Sequence, residues 1–293
     1  MENKRILVES PNGTIRGNFA SGGVGSPLVL MACGHNGFYH FGMFPTIQET
    51  LAQNGISSVA FNYTHCGISN DGDYFNDLES YKANCRRLEV EDLTWMAEQL
   101  VAGIWCHKPD RLFLLGHSMG GFSASFAVQS IRKAGIELAG LLLLNSLRTL
   151  DVRTPEIMEE WKANGVYFRP NMRTKQDLPQ GPEFLAETLA SKDEWNMQRQ
   201  IEALTIPCFV AHAVDDEAVP FEHGRTIFSW VYKNNPKNAF LPIPNAGHTL
   251  NTTHPMKRDS EELQFFCGQV IDWIEKKSVI PGRKCKDRYL ILP

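Results

Sequence analysis

Short runs dominated by apolar residues alternate along this chain with stretches in which apolar residues recur at helical spacing. Apolar runs of strand length predict strands buried on both faces, as in a parallel sheet covered by helices on both sides. Such runs fall at 28–32, 56–62, 111–115, 141–144, 206–211 and 238–243. Helical periods fall between and after them at 46–53, 78–101, 118–133, 222–232 and 260–277. In the second of these, Cys85, Leu88, Leu93 and Met96 can share an inward face. The opening differs, because 5–9 and 14–19 flank Pro11-Asn12-Gly13, a turn signal that predicts an antiparallel hairpin. The whole pattern predicts an α/β fold with a mostly parallel central sheet and helices on both faces.

The period fails once. From 145 to 203 the sequence is polar, interrupted by proline, and studded with Trp161, Tyr167, Phe168, Phe184 and Trp195. A connection that long far exceeds the usual few residues, so it is expected to be structured and placed for function, as a cap inserted between two strands. The expected organisation is a core from 1–145, a cap from 146–203, the rest of the core from 204–277 and a tail from 278–293. The tail carries a small basic cluster, Arg283-Lys284-Cys285-Lys286, read as a solvated terminus.

Composition narrows the class. A length of 293 residues suits two domains or one core with an insertion, and the net charge of −4 offers no global field for nucleic acid or an anionic membrane. The seven cysteines are scattered without a Cys-x-x-Cys pair and read as reduced thiols. The N-terminus lacks the features of a signal peptide, and no run is long enough to span a bilayer. The expectation is a cytoplasmic protein without membrane insertion, its oligomeric state left open.

Gly116-His117-Ser118-Met119-Gly120 fits G-x-S-x-G where a buried strand turns abruptly into a helix. That turn pushes the central side chain out of the sheet, and its flanking glycines leave room where a Cβ would crowd the neighbours. Ser118 is then exposed at the carboxyl end of the sheet, with the Met119 N–H at a helix N-terminus able to donate to an oxyanion. A serine hydroxyl is a weak nucleophile at neutral pH, so the chain must also supply a base and an acid. Asp215 and Asp216 follow the 206–211 strand, and His248 follows the last strand in Pro244-Asn245-Ala246-Gly247-His248.

These segments resemble the α/β-hydrolase superfamily over about 6–277. Gly116-His117-Ser118-Met119-Gly120-Gly121 is similar to its nucleophile elbow, Asp216-Glu217-Ala218-Val219-Pro220 to its acid loop, and Asn245-Ala246-Gly247-His248 to its histidine loop. The resemblance is nearest to serine carboxylesterases with a small cap, such as cinnamoyl and feruloyl esterases and monoglyceride lipase-like enzymes. It implies the catalytic set Ser118, Asp216 and His248, and its acid-loop register selects Asp216 over Asp215. Where the superfamily has a His-Gly pair, this chain reads Cys33-Gly34-His35-Asn36-Gly37, which puts His35 beside Met119 as the second oxyanion donor. The loop 62–69 also departs from the pattern of relatives.

Several residues compete. Some relatives take the acid from the end of the strand before the cap, where this chain has Asn145, with Asp151 further on. His254 is read as a surface residue, His117 as packing under the elbow, and Cys33, His35, His40, His65 and Cys66 match no trusted metal spacing. No metal or cofactor is expected. Gly34, Phe38 and Tyr39 beside the proposed oxyanion site, together with the cap aromatics, suggest a small ester with an apolar or aromatic group. The same triad serves thioesterases, carbon–carbon bond hydrolases, aminopeptidases and acyltransferases, and a small-molecule receptor on this fold is the non-enzymatic alternative.

Overall fold

The computed structural model describes residues 3–105, 108–150 and 153–276. The basic tail cluster and Asp151 lie outside them. The strands are β1 (Asn3–Ser10), β2 (Gly13–Ala20), β3 (Leu28–Ala32), β4 (Ser57–Asn62), β5 (Leu112–His117), β6 (Leu138–Leu144), β7 (Tyr167–Asn171), β8 (Gln176–Gln180), β9 (Cys208–Ala213) and β10 (Ala239–Ile243). Eight form one sheet in the order β1-β2-β4-β3-β5-β6-β9-β10, while β7 and β8 make a separate antiparallel ribbon. The opening hairpin joins β4 antiparallel, and every later pairing in the large sheet is parallel.

Successive strand residues point to opposite faces, which divides the apolar runs between two layers. Leu30, Leu114, Leu143 and Val210 pack on one side, and Met31, Leu115, Leu144 and Ala211 on the other. The helices are α1 (Phe44–Gln53), α2 (Leu78–Ala83), α3 (Arg86–Val101), α4 (Met119–Lys133), α5 (Pro155–Asn164), α6 (Pro182–Leu189), α7 (Met197–Glu202), α8 (Glu222–Val231) and α9 (Glu261–Lys276). The first layer is closed by α3, α4, α7 and α8, and the second by α1 and α9. Truncating one of these buried leucines to alanine would cost about 2–5 kcal/mol. Among the described residues no helix is long and apolar enough to cross a membrane.

The long helix expected over 78–101 is two helices. Asn84 and Cys85 are extended, and Cys85 is the N-cap of α3 rather than part of its inward face. The cause is distant in sequence. Glu187 of α6 is buried against this break, and its carboxylate accepts the N–H groups of Arg86 at 2.6 Å and Arg87 at 2.9 Å. The first amides of a helix lack intrahelical acceptors and carry partial positive charge, so a buried anion there starts a new helix. The Arg86 side chain is fully buried and forms an ion pair with Glu89 at 2.9 Å.

Between β6 and β9 the chain forms α5, the β7-β8 ribbon, α6 and α7. Its end returns to the sheet layer: α7 packs along α4 and α8, and Trp195 lies on Phe126 with ring centroids 4.8 Å apart. The chain leaves β3 toward β4 and leaves β5 toward β6, on opposite sides, so a crevice opens at the carboxyl ends of β3 and β5.

Glu187→Ala should lower unfolding free energy by about 2–3 kcal/mol, because two charge-assisted hydrogen bonds are lost and buried amides are left unpaired. Glu187→Gln should cost less. Urea unfolding measures both, and an unchanged midpoint for the alanine variant would refute the role of this carboxylate.

Candidate active site

Ser118 occupies the turn between β5 and α4 with φ 57° and ψ −125°. A non-glycine residue held there stores on the order of 1–3 kcal/mol of strain, retained only where the surroundings enforce it. They do so by backbone contact. A Cβ on Gly116 would lie 2.4 Å from the Gly121 Cα, and one on Gly120 would lie 2.3 Å from the Cys33 carbonyl oxygen. The Ser118 N–H donates to the Leu144 carbonyl at 2.9 Å, anchoring the turn to β6.

The loops after β9 and β10 bring two side chains to this turn. His248 Nε2 lies 3.0 Å from Ser118 Oγ, and His248 Nδ1 lies 2.8 Å from Asp216 Oδ2. The carboxylate can only accept, so Nδ1 carries the proton and the Nε2 lone pair faces the serine hydroxyl. Asp216 Oδ1 accepts the N–H groups of Ala218 at 2.9 Å and Val219 at 2.7 Å. Burial works to raise the Asp216 pKa, but the His248 hydrogen bond and charge, with these two amides, outweigh it and hold the group below the usual carboxylate value. Asp215 is exposed and does not meet the imidazole; its N–H donates to the Ala246 carbonyl.

Two residues hold the histidine loop from behind. The His248 carbonyl accepts Asn145 Nδ2 at 2.7 Å and His117 Nε2 at 3.0 Å. Asn145 is fully buried with φ 49°, and its Oδ1 accepts the Ala213 N–H at 2.7 Å, so one amide side chain joins the ends of β6 and β9 to the histidine loop. The position weighed for an alternative acid therefore carries a neutral clamp. His117 is pushed down to about 3 by burial, with the His248 ring adding to the effect, and stays neutral as a donor.

On the opposite side the loop after β3 turns tightly, with the Gly37 N–H on the Gly34 carbonyl at 2.9 Å and Asn36 at φ 62°. A Cβ on Gly34 would lie 2.9 Å from Ser118 Cβ, so this loop rests on the serine itself. Among the described residues neither the His35 nor the Met119 N–H donates to another group. The His35 ring is fixed by Gln180, whose Nε2 donates to His35 Nε2 at 2.8 Å, while Gln180 Oε1 accepts Arg153 Nη2 at 2.7 Å. The Tyr81 hydroxyl also lies 2.9 Å from His35 Nε2. Burial, then the charges of Arg169, Arg86 and Arg153, hold the His35 pKa well below its ordinary value.

The aromatic expectation needs correction. Phe38 is fully buried in a cluster with Ile68, Phe75, Tyr81 and Leu178, and Tyr39 packs toward the layer of α1 and α9, so neither lines the cleft over Ser118. Their rings gain more by covering apolar neighbours than by facing a wet cleft. Trp161 and Phe184 are buried, Phe168 is exposed, and of the aromatics in the insertion only Tyr167 reaches the cleft. That cleft measures about 640 Å³, and its walls include Arg148, Arg153, Arg169 and His223. The sequence reading missed these arginines and also Asn145, Gln180 and Tyr81 as positioning groups; no local pattern marks them.

His254 accepts the Gly42 N–H at 3.1 Å through Nδ1, meets Asp73 at 3.0 Å through Nε2, and stacks on Phe41, joining surface loops away from Ser118. Cys33 points to the Phe61 carbonyl, His40 packs on Phe38, His65 meets Thr64 Oγ1 and Cys66 meets the Ile68 carbonyl. Among the described residues no group of three His, Cys, Asp or Glu side chains is arranged to hold a metal ion.

The sequence profile of the alpha/beta hydrolase family matches residues 28–258. No curated protein matches this sequence. Solved structures share the fold. Est1E from Butyrivibrio proteoclasticus with ferulic acid bound has a TM-score of 0.68 at 14% identity, covering 93% of this chain and 99% of that one. A soluble variant of monoglyceride lipase from Saccharomyces cerevisiae in complex with a substrate analogue has a TM-score of 0.68 at 15% identity, covering 94% and 95%. The alpha/beta hydrolase GrgF from Penicillium sp. sh18 has a TM-score of 0.67 at 15% identity, covering 94% and 99%.

Two outcomes follow from this geometry. Asn145→Ala should slow labelling of Ser118 by a fluorophosphonate at least tenfold while costing about 1–3 kcal/mol of stability, since the Ala213 N–H and the His248 carbonyl each lose a partner; unaltered labelling would remove Asn145 from the site. Asp216 has a folded pKa below its unfolded value, so its ionisation adds stability above the ordinary carboxylate pKa, and that stability is lost as pH falls through the lowered folded value. The stability gap between wild type and Asp216→Asn should therefore shrink below about pH 4, and a gap that widens there would contradict the assignment.

Proposed function

This chain belongs to the alpha/beta hydrolase family, and we propose that it cleaves carboxylic esters through an acyl-serine intermediate. The observation that carries this reading is the unbroken hydrogen-bond chain from Ser118 Oγ through His248 to Asp216, with Ser118 and His248 lining the cleft. Such a chain answers the chemical difficulty of a serine nucleophile, whose proton must leave as the oxygen attacks.

In the proposed reaction Ser118 Oγ attacks the ester carbonyl carbon while His248 Nε2 takes its proton. Asp216 holds the imidazole in the required tautomer and stabilises the imidazolium. The carbonyl oxygen becomes an oxyanion facing the N–H groups of Met119 and His35, the first of them at the N-terminus of the 15-residue α4. Collapse expels the alcohol, which receives the proton from His248. Water, deprotonated by His248, then releases the acid and restores Ser118. The neutral pair His117 and Asn145 keeps the histidine loop in register through its carbonyl. The insertion over this site is read as a cap, and the fold neighbours named above, an esterase and a lipase among them, support an ester as substrate.

Ser118→Ala should reduce hydrolysis of p-nitrophenyl acetate by on the order of 10⁴-fold or more, with loss of fluorophosphonate labelling. Undiminished turnover by the purified variant would overturn the assignment of the nucleophile.

A further inference from the structure

The cleft over Ser118 is walled by three arginines, Arg148, Arg153 and Arg169, and among its described lining residues there is no aspartate or glutamate. Elsewhere in the molecule arginines meet carboxylates: Arg86 with Glu89, Arg87 with Glu91, Arg111 with Asp110 and Arg225 with Glu222. Among the described residues none of the three cleft arginines has such a partner. A cluster of like charges without counter-charge is unfavourable unless something else supplies it.

Arg153 is the most enclosed of the three. Its guanidinium lies over Trp161 at 4.9 Å and Phe184 at 5.1 Å, and Nη2 donates to Gln180. Among the described residues its Nη1 is shut off from solvent and has no hydrogen-bond partner, a state it shares with Arg86, but of the two only Arg153 lines the cleft. Stacking accounts for where the group lies but leaves those N–H donors unused, and a buried donor without an acceptor costs about 1–3 kcal/mol, more when charged. Burial, with the neighbouring charges of Arg169 and Arg86, pushes the Arg153 pKa down to about 10, still charged at neutral pH. Arg169 reaches the same cleft by strand geometry: it shares one face of β7 with the half-buried Tyr167 and is itself exposed at the cleft. Arg148 follows β6 at the exposed rim, its N–H on His223 Nδ1 at 3.1 Å. Through Gln180, Arg153 is also tied to His35 on the loop that rests on Ser118.

We propose that the substrate carries an anionic group apart from the scissile ester, a carboxylate or a phosphate, bound by Arg153 and Arg169 with Arg148 at the rim. This rests on the reading of Ser118 as nucleophile, and it replaces the apolar or aromatic substrate suggested by the sequence. Leu147, Ile157 and Tyr167 supply apolar wall for the segment that links the ester to the charge. The planar guanidinium fork suits both oxyanions, because each can accept two parallel N–H donors.

The test compares kcat/KM for mono-p-nitrophenyl glutarate and its neutral methyl ester, which differ in the distal charge and one methyl group. Wild type should prefer the charged ester by roughly tenfold or more, and the charged-to-neutral ratio should fall toward one in Arg153→Gln and in Arg169→Gln. The ratio, rather than absolute turnover, is the readout, and it should also decline as salt rises. Calorimetric titration of glutarate, dimethyl glutarate and inorganic phosphate into the Ser118→Ala protein gives a readout independent of turnover. Saturable binding of glutarate that weakens in the Arg153→Gln background assigns a carboxylate, and the same behaviour with inorganic phosphate assigns a phosphate. A wild-type ratio at or below one, together with no binding of either anion above dimethyl glutarate, overturns the proposal. If neither ester is hydrolysed, the ester reading fails while the titration still decides the anion site.

Discussion

The structure turns on a steric constraint: β5, the start of α4 and the loop after β3 meet at backbone contact. With Gly120 against the Cys33 carbonyl and Gly116 against Gly121, no side chain can separate the three segments. The chain reverses in a single residue, and that residue, Ser118, is forced to positive φ. The same contact places Gly34 on the serine, and His35 and Met119 both line the cleft above it. The placements of Ser118 and of the loop that carries His35 thus share one cause, the absence of Cβ atoms where strand, helix and loop cross.

Asp216 and His248 come from loops after β9 and β10, and here hydrogen bonds rather than packing set the geometry. Asp216 is cradled by two amides of its own loop, and His248 is held through its carbonyl by Asn145 and His117. The Asp216 carboxylate, the His248 ring and carbonyl, and the Asn145 amide are each hydrogen-bonded. Such a network is rigid because any displacement leaves a donor or acceptor unmatched in a poorly solvated place. Asn145 is well suited to this work, since one amide offers both a donor for His248 and an acceptor for Ala213.

Buried charge is handled in two different ways. Around Arg86 the cation meets Glu89, and Glu187 is spent on the first amides of α3, which ties the insertion to the sheet layer. Around Arg153 and Arg169 the charges face a cleft with no carboxylate among its described lining residues. The first arrangement reads as architecture, and the second as a place that awaits an anion. The net charge of −4 is silent on this difference, because an average over the chain hides a local excess of one sign.

The parallel strands were legible in the sequence because each is a short run dominated by apolar residues, the opening hairpin because Pro11-Asn12-Gly13 marks its turn, and the elbow because its glycines lie close together in sequence. The approach of serine, aspartate and histidine was legible because each follows a strand in one parallel sheet, and such loops collect at one end of it. The break at Asn84 and Cys85 was not, since the anion that splits the helix sits about a hundred residues away on α6. Nor was the fate of Phe38 and Tyr39: an aromatic residue in a loop looks the same whether it lines a cleft or fills the space beneath it. The arginines are dispersed through a segment without period, and only folding sets them on one wall. Local sterics and hydrophobic period, both short-ranged along the chain, determined the layers and the elbow; the convergence of charge from distant segments, which depends on distance in space, was decided by the tertiary structure alone.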